Sequence, residues 1–253
     1  MTGEPGGPQW WIDPGGDVIN QLVDHTIILS CEAQDLFAER FVGVAWGADL
    51  GGDPTFWFDT EPPTHFRPYF VGSSVDGDSW MWGWHNVNDY PEAVIGLAQR
   101  LHDAGESMGS TELTTALLAL DADVRRSQRL PDRDHPEMAY VYAAQAMSGV
   151  AAPVYYRGPV GEETFAWFVL DNPAEFHLPA PTVRASGAAL TAALSTGFVL
   201  DHRLAVEAYA DRRVGVTARL TTTGIDLDTS DGTVVVEFDE LGRIDRLSYT
   251  AIG

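Results

Sequence analysis

Three tryptophans at alternate positions, Trp80, Trp82 and Trp84, followed at once by His85 and Asn86, form the densest group of recognition-capable side chains in this sequence. On a β-strand successive side chains point to opposite faces. A strand over 79–86 therefore sets the three indoles on one face and Met81, Gly83 and His85 on the other. Aligned indoles make a flat apolar wall bearing N–H donors, on which a sugar, a base or another planar ligand can stack. Gly83 leaves a gap on the opposite face that admits close approach. The competing role for large aromatics in a strand is core under covering helices. The expectation is that at least two of the three indoles are core, with His85 and Asn86 as the ligand-binding positions. A second group, Asp201-His202-Arg203, sets an acid, a base and an anion clamp in consecutive positions. Neighbours on a helix point about 100° apart, so the three do not converge by themselves. Asp201 reads better as an N-cap, His202 as a first-turn residue, and Arg203 as a partner for a carboxylate elsewhere.

Other chemistries lack their motifs. The seven histidines (His25, His65, His85, His102, His135, His177 and His202) never fall at H-x-H or H-x-x-x-H spacing. With one cysteine there is no thiolate cluster either, so no metal site is expected. Neither G-x-G-x-x-G after a strand nor G-x-S-x-G occurs, and no cofactor is expected. The lone Cys31 forbids an internal disulfide, fits a reducing, cytoplasmic setting, and reads as a small buried thiol on a helix.

Charge narrows the partners. Acidic residues number 37 against 15 basic ones, a formal charge of −22, and every basic side chain is arginine. Absence of lysine removes Schiff-base and phosphate-loop lysine chemistry. Phosphate backbones need clustered cations, so nucleic acid is not an expected partner. Acidity serves solubility first, with mimicry of nucleic acid towards a basic protein as the specific alternative. No apolar run nears the roughly 18–20 residues of a membrane span, and residues 1–16, rich in Gly and Pro, read as a flexible tail rather than a signal peptide.

The elements that must position these groups follow from periodicity. Val18, Leu22, His25, Leu29, Ala33 and Leu36 predict one amphipathic helix from Asp17 to about Arg40. Period-two aromatic runs at 41–46, 56–59, 66–73 and 79–86 predict an antiparallel meander. Helices are predicted over 91–104, where Gly105 follows the last turn, and over 111–120. Further helices are predicted over 136–148, 182–196 and 201–213. Strands are predicted over 153–157 and 164–170, and hairpins over 215–250 with Asp231-Gly232 as a two-residue loop. The charge-dense stretch 121–135 marks a hinge between an N-terminal lobe (17–130) and a C-terminal lobe (131–253). Residues 68–86 and 153–171 share a Pro-led aromatic strand, a polar turn and a second strand, a weak internal echo. The resulting class is α+β, two antiparallel sheets each packed by helices on one side.

Gly72, Asp76 or Asp78, Trp80, Trp82, Trp84 and Asn86 form an arrangement of Gly and Asp ahead of W-x-W-x-W-x-N that resembles a bacterial family of uncharacterised proteins. Gly105-Glu106, Glu112-Leu113-Thr114, Leu178-Pro179-Ala180-Pro181, Asp201-His202-Arg203 and Phe238-Asp239-Glu240-Leu241-Gly242-Arg243 extend the resemblance over most of the chain from residue 17. It implies a bacterial, cytosolic origin and carries no activity. The leading expectation is a non-enzymatic interaction or small-ligand-binding protein. A hydrolase with a spatially assembled acid/base site and an acidic neutralising partner of a basic protein, such as a toxin, are the alternatives.

Overall fold

The computed structural model describes residues 17–75, 78–120 and 135–251. The tail 1–16, Asp76 and nearly all of the stretch read as a hinge lie outside the described residues. The chain opens with α1 (Val18–Asp24), capped by Asp17, whose carboxylate accepts the Asn20 N–H at 3.1 Å. The single helix predicted to Arg40 is in fact two. It breaks at His25-Thr26 and resumes as α2 (Ile27–Phe41). At the break Arg212 donates to the His25 carbonyl (3.1 Å) and to Thr26 Oγ1 (2.8 Å). Buried residues continue on both sides of it, so apolar spacing carried no trace of the interruption.

Strands β1 (Trp46–Asp49), β2 (Thr55–Phe58), β3 (Thr64–Val75) and β4 (Ser79–Trp82) form an antiparallel meander. Its first strand lies later than the predicted 41–46 and shares only Trp46 with it, because Phe41 still belongs to α2. Strand β4 stops at Trp82, and a 3-10 turn over Gly83–His85 leads into Asn86 at φ +47°. Helix α3 (Glu92–Met108) runs past Gly105 and ends at Gly109, φ +70°. Gly105 lies inside the helix, where an added Cβ would collide with the Leu113 side chain. The helix predicted over 111–120 is a single turn, α4 (Thr111–Thr114), followed by β5 (Leu117–Ala119) beside β4. Exposed Leu117 and buried Leu118 alternate as an edge strand requires.

Helix α5 (Met138–Ser148) precedes the hairpin β6 (Val154–Pro159) and β7 (Thr164–Asp171). Then come α6 (Val183–Thr196), α7 (His202–Arg212) and β8 (Thr217–Leu220), β9 (Gly224–Thr229), β10 (Gly232–Phe238) and β11 (Ile244–Ala251). Seven α-helices and two antiparallel sheets make an α+β protein among the described residues. The larger sheet runs β1-β2-β3-β4-β5, and β7 pairs with β3 and carries β6. It thus draws strands from both sides of residue 130. The two hairpins that echo each other in sequence lie in this one sheet, joined through β3 and β7 with an irregularity at Phe70/Gly72. The smaller sheet runs β11-β10-β9-β8, and its loop is Ser230-Asp231, with Gly232 opening β10. Ile225, Leu227, Val234 and Val236 are buried beneath α6 and α7. Arg219, Asp226 and Asp228 pair on the opposite face. That alternation is the antiparallel pattern of one dry and one wet face.

On one face of the larger sheet Trp80, Trp82 and Trp167 are buried, and the Tyr140 ring of α5 lies 5.4 Å from Trp80 and 5.3 Å from Trp82. Trp80 lies across bare backbone at Gly72, where an added Cβ would stand 2.5 Å from its ring. A second cluster joins Phe37 and Phe41 of α2 to Phe58, Phe66 and Phe176, with Phe41 stacked on Phe58 at 4.5 Å. No helix among the described residues is long and apolar enough to cross a membrane.

Two buried carboxylates tie the N-terminal helices to the C-terminal ones. Glu32 is held by Arg213, Nε to Oε2 and Nη2 to Oε1, both at 2.8 Å, and the Tyr209 hydroxyl donates to Oε2 at 2.9 Å. Asp24 accepts the backbone N–H groups of Leu200 (3.0 Å) and Asp201 (2.9 Å) just before α7. Burial pushes the Asp24 carboxyl up to about 7, against those two lowering bonds. The unfolded carboxyl loses its proton near pH 4. From there to pH 7 the unfolded state therefore binds fewer protons than the folded one, and stability falls as pH rises. The slope is at most about 1.4 kcal/mol per pH unit. Urea unfolding of wild type and Asp24→Asn across pH 4.5–7 should show this component in wild type only. Parallel profiles would refute it.

Candidate functional site

The structure disperses the residues singled out by sequence. Trp80 and Trp82 are fully buried, and the Trp82 indole donates to the Glu112 carbonyl at 2.8 Å. Trp84, beyond the strand end, is half-buried with its ring 4.3 Å from that of His102, so the three indoles share no face. His85 is exposed. Asn86 clamps its own loop, accepting the Tyr90 N–H (2.8 Å) and donating to the Tyr90 carbonyl (2.9 Å). Asp201 caps α7 through the Leu204 N–H at 2.9 Å. His202 Nδ1 accepts the Ile244 N–H at 3.1 Å, and burial lowers its pKa, which suits an acceptor nitrogen. The Arg203 guanidinium lies over the Phe238 ring at 4.6 Å and reaches Glu207 at 4.0 Å. Each of these residues has a local structural partner, and they converge on no common space.

A different set does converge. The turn entering α5, two positions of β6, one of β7 and the end of α6 border an open cleft of about 510 Å³. Among the described residues its lining is His135, Met138, Tyr142, Tyr155, Arg157, Trp167, Thr196 and Phe198. Tyr155 and Arg157 fall on the same side of β6 because they are two residues apart, and Trp167 stands opposite Arg157 in the ladder. The Arg157 guanidinium is packed flat on the Phe165 ring at 3.4 Å, with Trp167 at 5.5 Å. A stacked guanidinium keeps its edge donors in a fixed plane.

Beside this lining lies a buried polar chain. The Trp167 indole donates to Ser74 Oγ (2.8 Å), Ser74 donates to Glu137 Oε1 (3.3 Å), and His135 Nδ1 stands 3.5 Å from the same oxygen. Glu137 has no exposed surface, and its Oε2 has no hydrogen-bond partner among the described residues. It occupies the N-cap position of α5 yet makes no side-chain cap bond, turning towards β3 instead. Burial raises its pKa, opposed by His135, Arg157 and Ser74 among others. Burial also pushes the Tyr155 phenol up to about 12 and Tyr142 well above its usual value, so both remain O–H groups at neutral pH. The Cys31 thiol near Tyr142 is buried and pushed up to about 12, so it remains unionised. A neutral, enclosed thiol is a poor nucleophile. Ser74 Oγ, accepting from one side and donating on the other, is likewise committed.

Two further clefts are less apt. One of about 200 Å³ borders Arg212 and Arg213, but Arg213 is engaged with Glu32 and Arg212 with the His25 carbonyl and Thr26 Oγ1. The other, about 550 Å³, is bordered by the carboxylates of Asp53 and Asp171 and by few aromatic side chains, and its Arg67 lies over Tyr69 at 4.9 Å. Among the described residues His102, Asp103 and Glu106 also bring ligand atoms within 4.8 Å of one another, on the exposed side of α3.

A profile described as "Family of unknown function (DUF6882)" matches residues 20–173, more than half of the chain. The protein belongs to this family. No curated protein and no solved structure matches it. The DUF6882 span contains the tryptophan motif and most of the cleft, from Ser74 through His135, Glu137, Tyr142, Tyr155 and Arg157 to Trp167. Thr196 and Phe198, which close the cleft, lie beyond it. Sequence reasoning passed over nearly all of these cleft residues. Three signals were available: His135 and Glu137 flank one proline, Arg157 closes a Tyr-Tyr-Arg run, and Trp167 is the one tryptophan after residue 84.

Proposed function

We propose that this DUF6882 protein binds a small molecule with a planar, apolar body in the cleft between α5, β6–β7 and the end of α6. The carrying observation is the cleft itself: about 510 Å³, walled by Tyr142, Tyr155, Trp167 and Phe198, with hydroxyl, guanidinium and imidazole groups set among them. Small-molecule sites have this character, about 300–1,000 Å³ of mostly apolar wall with a few placed polar groups. The role is binding rather than nucleophilic catalysis, because the nearby Ser74 and Cys31 side chains are unsuited to attack. A lone unpaired cysteine supports a cytosolic setting. The charge of −22 argues against nucleic acid as the ligand.

Thermal-shift measurements with a panel of planar small molecules test the reading. Compounds that raise the melting temperature of wild type should leave Thr196→Trp unchanged, because an indole at the cleft mouth fills the space. Equal shifts in both proteins, or no shift with any compound, would contradict it. One observation favours a second reading, proton-transfer catalysis. Glu137, with its raised pKa and His135 at 3.5 Å, has the environment of a general acid. Glu137→Gln separates the two, since it keeps the cleft's shape and removes a proton donor.

A further inference from the structure

The β10–β11 hairpin meets α7 through an imidazole nitrogen. Its ladder turns irregular near the loop: Glu237 faces Arg246 and Phe238 faces Ile244, which leaves Asp245 as the extra residue of a bulge. Beyond that point Asp239 organises the loop from within. Its carboxylate accepts the N–H groups of Leu241 and Arg243, both at 2.9 Å, and its carbonyl accepts the Gly242 N–H at 3.0 Å. The Ile244 N–H instead leaves the hairpin and donates to His202 Nδ1 at 3.1 Å. Arg203, next on the helix, lies over the Phe238 ring at 4.6 Å. Phe238 and Ile244 are both partly buried against the main core.

We propose that His202 is a pH-dependent latch, holding the loop end of the β10–β11 hairpin to α7 while the imidazole is neutral and releasing it when the imidazole takes up a proton. A ring nitrogen that accepts a hydrogen bond carries no proton, so the neutral ring keeps its proton on Nε2. Protonation puts an N–H on Nδ1, where it meets the Ile244 N–H donor to donor, and the contact is lost. The charged groups facing the ring are Asp201 on α7 and Asp239 and Arg243 in the loop, with Asp24 of α1 accepting the Asp201 N–H. Burial and the Arg243 charge hold the imidazole pKa below its ordinary value, against the opposing pull of Asp201 and Asp239. The latched state therefore binds the proton more weakly than the released one. Acidification below the ordinary imidazole pKa of about 6.5 favours release. Asp239 does not open with it, because hydrogen bonds from Arg243 hold its carboxyl below the usual carboxylate range and keep it charged. The loop keeps its internal shape and loses its tether.

Amide hydrogen exchange of the full chain, followed by NMR and corrected for the intrinsic pH dependence of exchange, tests the latch. From pH 7.5 to pH 5.0 the loss of protection at the Ile244 amide should exceed that at Val236, in the buried part of β10, at least threefold. His202→Asn sets an amide oxygen in place of Nδ1 that accepts at both pH values, so the excess loss at Ile244 should disappear. Equal losses at Ile244 and Val236 in wild type would mean general loosening and overturn the proposal. An excess loss that survives in His202→Asn would assign the effect to another group and overturn it too. The nitrogen-15 shifts of the wild-type ring give a check that needs no variant. They should place the proton on Nε2 at pH 7.5 and titrate with a midpoint below 6.5. A proton on Nδ1, or a midpoint at or above 6.5, would contradict the latch.

Discussion

Arg213→Met, which strands Glu32 without its cation, is expected to destabilise the protein by about 3–5 kcal/mol, the range for removing one partner of a buried ion pair. Both side chains are at most 8% exposed, and the pair is bidentate. Arg213 also donates to the Pro179 carbonyl at 2.6 Å, so the variant orphans a backbone acceptor as well. The double variant Glu32→Leu/Arg213→Met should recover much of the loss, because it removes both desolvated charges together. Urea unfolding of both variants checks this. The account of this junction fails if the double variant is less stable than the single one by more than 1 kcal/mol (about the size of one net hydrogen bond).

Trp80→Ala and Trp82→Ala should each cost about 3–5 kcal/mol, as truncations of enclosed aromatics do. Domains of this kind have only about 5–15 kcal/mol in all, so either variant should melt far below wild type. Trp82 also loses the hydrogen bond from its indole to the Glu112 carbonyl, which anchors α4. Trp84→Ala should cost clearly less, since its ring is half-buried on the 3-10 turn against His102. Melting temperatures of the three variants decide it. Equal losses at all three positions would mean that Trp84 is as deeply packed as the other two.

The contrast between Trp82 and Trp84 shows where sequence reading stopped. Alternation marks a strand but does not mark its end, and here Gly83 turns the chain out of the sheet two residues before the pattern finishes. Helix limits suffered similarly. Gly105 reads as a stop signal, yet it is a contact point for Leu113 inside a longer helix, and Gly109 is the true terminus. The cap at Asp201 was legible because its chemistry is local to a few residues. The antiparallel meander and the C-terminal hairpins were legible for the same reason. The β3–β7 pairing was not, since it joins residues roughly a hundred apart in the chain. The cleft depends on that pairing. Ser74 and Trp167 are 93 residues apart and form one hydrogen bond, and no spacing rule connects them.

The most direct measurement of whether a ligand enters the cleft is protection of a thiol placed at its mouth. Cys31 is buried and unionised at neutral pH, so it stays silent to iodoacetamide. Thr196→Cys then supplies one reactive group in the lining, and Ser107→Cys supplies a control on the exposed side of α3. A planar compound that raises the wild-type melting temperature, added at saturation, should slow alkylation of the cysteine at 196 at least tenfold and leave the one at 107 unchanged. Equal rates with and without the ligand at 196, under conditions where binding is saturated, would place the ligand elsewhere and contradict the account.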